Sequence, residues 1–254
     1  MVGLQLCSWN IHLGIELERI LTTVRSTEHF RDLDLLLLQE ASVRGHQTDA
    51  ERIAAELGSD YQALQRNVDS LQGRIRGLAI VWNSATFELL SAGLLPLPHL
   101  RSSAVARRHR YWLHPLRLRP RSALAVEGLA RGMHVRLYVI HLSPVGFTFQ
   151  TEQLATILRH AAHHEPYDLL VMAGDFNSLR IDRRRWMAWF DAREAEGFVN
   201  ASQEVEWTFR SPSLPLRQKL DNALIRGADA VVCTAYCPEL LGSDHLPLFV
   251  SVRR

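Results

Sequence analysis

Lysine is almost missing from this chain. Of 29 basic residues only Lys219 is a lysine, and the rest are arginine. The bias can reflect genome composition, but the guanidinium fork also suits bidentate phosphate contacts better than an ammonium does. Cysteine is scarce as well. Three residues, Cys7, Cys233 and Cys237, are too few and odd in number for a disulfide framework. Cys233 and Cys237 lack a second Cys/His pair at zinc spacing, so ordinary core or loop thiols are expected. No apolar run approaches the length that spans a bilayer. The first ten residues read as strand with no cationic and apolar leader before them, so a secretory signal is not expected. A reducing, cytoplasmic setting and a monomer are the corresponding expectations. Internal repeats, low-complexity tracts and long linkers are also lacking, which leaves residues 1–254 as one domain. The net charge of +2 says little about partners.

What the chain does have is short apolar strands alternating with amphipathic helices. Strands are predicted at residues 4–10, 34–38, 61–65, 77–82, 87–90, 122–126, 135–140, 168–173, 207–209, 220–225, 231–236 and 246–252. Helices are predicted from about residue 15, through Ala50 to Leu57 ahead of Gly58, over 149–164, and around Trp186, Trp189 and Phe190.

The polar residues at strand ends carry the functional signal. Asn10, Glu40, His141 and Asp175 each close an apolar strand, whereas Asp221 and the pair Asp244-His245 stand at strand starts. Starts and ends share a rim only in a mixed or antiparallel sheet. Interspersed helices then imply two packed sheets with helices outside, an α/β sandwich. Crowded carboxylates need a cation. Glu40 with Asn10, and Asp244 as a further candidate, would make an oxygen-rich site for Mg²⁺ or Mn²⁺. Asp175 and Asn177, just past Gly174, can orient a water and hold a phosphate oxygen, although Gly-Asp-x-Asn is also a common turn. His141 and His245 can donate to phosphate oxygens, and Asp221 can orient His245. Neither a nucleophile elbow nor a Walker loop is present, so the nucleophile should be water.

Six segments in this order, Trp9-Asn10-Ile11, Leu38-Gln39-Glu40, Ile140-His141-Leu142, Gly174-Asp175-Phe176-Asn177, Leu220-Asp221-Asn222 and Gly242-Ser243-Asp244-His245, resemble the endonuclease/exonuclease/phosphatase superfamily. Its members include deoxyribonuclease I, abasic-site endonucleases, neutral sphingomyelinases and inositol-polyphosphate phosphatases. The resemblance implies a four-layer α/β sandwich of two mixed sheets flanked by helices. It implies that Glu40 binds the metal with Asn10 and Asp244, that Asp175 activates water, and that Asn177 and His141 bind the scissile phosphate. His245, paired with Asp221, would stabilise the crowded phosphate. His12 stands where abasic-site enzymes carry an acid, Ala41 follows Glu40 without their lysine, and Asn222 replaces a common aromatic. These departures count against an abasic-site enzyme.

A nuclease acting on DNA is the favoured expectation. The alternatives are a lipid or small-molecule phosphoesterase and, from another class, an inactive binding module. The last is disfavoured because no expected site residue is replaced by an apolar one. Arg101, Arg107, Arg108, Arg110, Arg117, Arg119 and Arg121, interleaved with Tyr111 and Trp112, fit either a nucleic-acid track or a solvated hairpin. Arg180, Arg183, Arg184 and Arg185 fit either a phosphate role or an outer helix face. Phe147 and Phe149 are expected to pack normally, His163 and His164 to lie at the surface, and His12 to support Asn10.

Overall fold

A computed structural model describes residues 3–71, 73–98, 120–144 and 146–253. Most of the basic stretch, Arg101 to Arg119 with Tyr111 and Trp112, lies outside the described residues.

Two sheets face each other. The first contains β1 (Gly3–Asn10), β2 (Leu35–Ala41), β5 (Tyr61–Leu71), β6 (Arg74–Asn83), β15 (Val232–Tyr236) and β16 (Leu248–Arg253), in the order β15-β16-β1-β2-β6-β5. The second contains β7 (Phe87–Leu97), β8 (Arg121–Ala130), β9 (Met133–His141), β10 (Leu169–Asp175), β11 (Val199–Asn200) and β14 (Asp221–Gly227), in the order β11-β14-β10-β9-β8-β7. Short pairs β3 (Val43–Arg44) with β4 (Gln47–Thr48), and β12 (Phe209–Arg210) with β13 (Arg217–Gln218), decorate the rim. Residues 207–209, read above as a strand, supply only the start of β12.

The period-two pattern sorts side chains into three cores. Leu4, Leu6, Leu35, Leu37, Val135, Leu137, Val171 and Ala173 point between the sheets. Cys7, Trp9, Leu36 and Leu38 point the other way, beneath α1 (Leu17–Ser26) and α2 (Asp49–Leu57). Tyr138, Ile140, Leu170 and Met172 pack under α3 (Phe147–Ala162) and α4 (Arg183–Ala195). The result is a four-layer α/β sandwich, with Trp186 and Phe190 buried in the outer layer. Helix α2 begins with a capping box between Thr48 and Glu51 and stops at Gly58.

Register builds the rim. The partner of Asp175 on β9 is His141, in parallel, and its partner on β14 is Asp221, antiparallel. Three polar residues on adjacent strands thus share the inner face at one edge. Gly174 makes this row possible. It has φ +146°, and a Cβ there would stand 2.0 Å from the Ile140 carbonyl oxygen. Gly174→Ala should therefore destabilise the fold by about 3 kcal/mol and lower Tm by roughly 6–12 °C. A melt within 2 °C of the parent would contradict this.

Candidate active site

Asp175 occupies the middle of the cluster. Its Oδ2 accepts from Asn10 Nδ2 at 3.0 Å, and its Oδ1 accepts from the Asn177 backbone N–H at 2.8 Å. The Nε2 atoms of His141 and His245 lie 3.7 Å and 3.8 Å from Oδ2. Asn177 sits in left-handed backbone at φ +50° and donates its amide to the Leu142 carbonyl. The Gln150 side chain of α3 donates to the carbonyls of Ser143 and Asn177, pinning this loop from behind.

His245 pairs with Asp221, Nδ1 to Oδ2 at 2.8 Å. Thr208 fixes the carboxylate's position by accepting from the backbone N–H groups of Leu220 and Asp221. The other oxygen of Asp221 is buried without a hydrogen-bond partner among the described residues. Trp9 Nε1 donates to the His245 carbonyl, and the Phe209 ring packs edge-on to the imidazole at 5.0 Å.

Glu40 is turned into the site by its backbone. It is the extra residue of a β-bulge against β6, with φ +55°. Without the bulge, the pleat would point Glu40 with Leu36 and Leu38 toward the helices. His141 Nε2 lies 3.7 Å and Arg76 Nη1 3.8 Å from the Glu40 carboxylate, both beyond hydrogen-bond range. Asp244 joins the cluster through His12. The imidazole Nδ1 of His12 is 3.5 Å from Asp244, and its backbone N–H donates to Asn10 Oδ1 at 3.1 Å. Ser243 Oγ also donates to the Asn10 carbonyl. All eight residues singled out by sequence, Asn10, Glu40, His141, Asp175, Asn177, Asp221, Asp244 and His245, thus form one connected network.

Two buried arginines were not singled out. Arg76 is gripped by Asp69 through bonds of 2.8 and 2.6 Å. Its alternation with Leu78 and Ile80 on β6 is the signal that could have placed it between the sheets. Arg121, read above as part of an exposed basic run, is instead 6% exposed at the start of β8. Burial, then repulsion from Arg76, lowers its pKa to about 10, while Glu40 and Asp175 oppose that shift. A run of charges masks such a change of environment, because pattern alone cannot show which arginine turns inward.

The ionisation pattern follows from this geometry. Burial, reinforced by the charge of Asp221, raises Asp175 to about 7, against the pull of His245 and two hydrogen bonds. Burial alone would depress His245, but the charge and hydrogen bond of Asp221 raise it to about 10. Burial, then Arg121 and Arg76, hold His141 well below its usual value. The site therefore combines an imidazolium, a neutral imidazole and a carboxyl poised near neutrality. Asp175, Asp221 and His245 also have ligand atoms within 4.8 Å of one another, close enough to share a metal ion.

A sequence profile described as the endonuclease/exonuclease/phosphatase family matches residues 7–245. The chain belongs to that family. As a family member it is a metal-dependent phosphoesterase, in keeping with its acidic and histidine cluster. Three solved structures share the fold. TDP2 from D. rerio, complexed with a single-strand DNA product, has a TM-score of 0.68 at 16% identity, covering 99% of each chain. A family protein from Bacteroides thetaiotaomicron has a TM-score of 0.71 at 15% identity, covering 99% of this chain and 97% of that one. A mannosyl-6-phosphatase from the same bacterium has a TM-score of 0.69 at 15% identity, covering 99% of this chain and 100% of that one. Identities this low bear on the fold alone. None of the curated proteins matches the sequence.

Proposed function

We propose that this family member is a divalent-metal-dependent phosphodiesterase acting on nucleic acid, with DNA favoured, by in-line attack of water. The observation that carries the reading is the position of Asp175, between Asn10, Asn177, His141 and His245. In this reading Glu40 holds Mg²⁺ or Mn²⁺ with Asn10 and Asp244. The Glu40 carboxylate fits a hard cation because the His141 and Arg76 nitrogens stand 3.7 and 3.8 Å away, leaving oxygen lone pairs to spare. Bound there, the ion would supply Lewis-acid stabilisation of the phosphate and its leaving oxygen. The alternative cluster of Asp175, Asp221 and His245 suits a metal less well, because His245 Nδ1 and Asp221 Oδ2 are already engaged with each other at 2.8 Å.

Asp175 takes a proton from the attacking water. A carboxyl near 7 is a far better base at neutral pH than an ordinary aspartate. Asn177 and neutral His141 orient the phosphate oxygens. The His245 imidazolium, held by Asp221, stabilises charge gathering on the five-coordinate phosphorus. Arg76 and Arg121 add positive potential beneath the phosphate.

Support for a polynucleotide substrate comes from the rim. A cleft of ≈270 Å³ opens beside Asp244, lined by His12, Trp207 and Arg210, by Arg19 paired with Glu16, and by Glu239. Arg217 lies over the Trp207 ring at 4.3 Å. Aromatic and cationic groups together suit a base and its phosphate. A second reading, a small phosphomonoester, draws on the two buried guanidiniums, which suit a dianion, and on the likeness to a phosphatase.

The test is hydrolysis of plasmid, single-stranded DNA, RNA, sphingomyelin, a sugar phosphate and a chromogenic phosphodiester, with Mg²⁺ and with Mn²⁺. DNA should be cleaved, with a rate that falls steeply as salt rises. Preference for the sugar phosphate, with little salt dependence, would overturn the proposal in favour of the second reading.

A further inference from the structure

Three residues after Asn177 the chain enters a strongly basic ridge. Arg180, Arg183, Arg184 and Arg185 are all exposed over the turn Arg180–Asp182 and the first turn of α4. Asp182 is the one acid among residues 180–187. It sits 3.4 Å from Arg185, whose guanidinium also covers the Phe147 ring at 4.3 Å. The side chains of Arg183 and Arg184 have no hydrogen-bond or ion-pair partner among the described residues. Ile181 is 89% exposed and Met187 51% exposed beside them. Neither apolar side chain caps a core, and unpaired charges contribute nothing to this helix's packing.

The ridge is joined to the catalytic rim on two sides. On one side a chain segment of three residues links it to Asn177, a reach of at most ~11 Å. On the other, the Arg180 backbone N–H donates to Gln218 Oε1 at 3.2 Å, fixing it against the β12–β13 hairpin. That hairpin carries exposed Arg217 over Trp207, at the edge of the cleft beside Asp244. Lys219, just beyond β13, is lowered to about 8, chiefly by burial, and Arg183 contributes through its charge. The ridge is thus anchored to the hairpin that carries Arg217, whose guanidinium also lies 3.9 Å from Glu239.

We infer that residues 180–187, continued by Arg217, form a backbone-binding track for the single-stranded nucleic acid that flanks the scissile phosphate. The inference rests on the nuclease reading of the catalytic site and specifies where the strand runs. Guanidiniums at the ridge neutralise successive phosphates and release their counterions, and exposed Ile181 and Met187 offer apolar contact to unstacked bases. An anionic membrane would also attract arginines. Two apolar side chains give little insertion area, however, and the ridge is tied through Gln218 to the hairpin whose Arg217 stacks on Trp207, so a strand is the better fit.

The test compares the parent protein with Arg183→Glu/Arg184→Glu and with Arg183→Lys/Arg184→Lys. Binding of a fluorescent single-stranded 20-mer is followed in EDTA across a salt series, alongside turnover of a chromogenic phosphodiester with metal. The glutamate pair should bind at least tenfold more weakly, and its log K against log salt slope should fall by about 1.4. Chromogenic turnover and Tm should stay at parental values. The lysine pair should keep most of the slope. Unchanged strand affinity and slope in the glutamate pair overturn the track. So does a loss confined to binding of phosphatidylserine vesicles, which assigns the ridge to a lipid surface. A parent that binds the strand through these arginines but cleaves no polynucleotide would refute the nuclease reading and leave the track standing. A parent that cleaves DNA as fast as the glutamate pair, at every salt concentration, would refute the track alone.

Discussion

Asp175→Asn is expected to abolish turnover, by at least ~10³-fold in kcat, while leaving the fold as stable as the parent or more so at pH 8. The two effects share one cause. Burial and the neighbouring Asp221 raise the carboxyl to about 7. The ionised form needed to accept a proton from water is therefore the form the fold resists. The amide keeps shape and one acceptor oxygen for the Asn177 N–H, but it cannot act as a base. The sign of the stability change follows from linkage. A carboxyl raised on folding costs stability above its folded value, and that cost disappears as pH falls to the ordinary aspartate value, where both states are protonated. Melts in EDTA should thus show the variant level with or above the parent at pH 8, with the gain fading toward pH 4. A variant retaining a tenth of parental activity would remove Asp175 from its assigned role. A strongly destabilised one would refute the account of its ionisation.

The second large effect is expected at Glu40. Glu40→Gln preserves volume and removes the carboxylate that the bulge turns into the site. Half-saturation by Mn²⁺ should shift at least tenfold higher, and kcat at saturating metal should fall by about 10²–10³. Thermal shift reads the same site without turnover. A ligand that binds only the folded state raises Tm through RT ln(1 + [L]/Kd), and the variant should lose that rise at Mn²⁺ concentrations that stabilise the parent. If its Mn²⁺ curve matched the parent's while Asp221→Asn shifted it, the ion would belong to the Asp175, Asp221 and His245 cluster instead.

The sequence made the layered architecture legible because each strand obeys the pleat. Leu4 and Leu6, or Val171 and Ala173, alternate with residues that belong under helices. The polar strand ends were legible for a related reason. Asn10, His141 and Asp175 continue the inward parity of their strands beyond the apolar core, so an interruption of pattern marks the rim. Helix limits shifted by two residues at α3, Phe147–Ala162 against 149–164, because its first turn packs through Phe147 on Trp186 rather than obeying a local start signal.

Pattern alone was silent on three matters. Glu40 has helix-facing parity, and only the bulge against β6 brings it to the side of His141. Arg121 looks like surface charge in one dimension, and Arg76, though its alternation on β6 points inward, becomes a site residue only once β6 is seen to approach Glu40. The ionisation order of Asp175, His141 and His245 depends on burial and on distances under 4 Å between residues up to 101 positions apart. Composition and periodicity determined that this chain folds as two sheets between helices, and which polar groups crown them. Which of those groups meet, and with what charge, was decided by strand register and the bulge, since desolvation and Coulomb energy act through space and take no account of sequence separation.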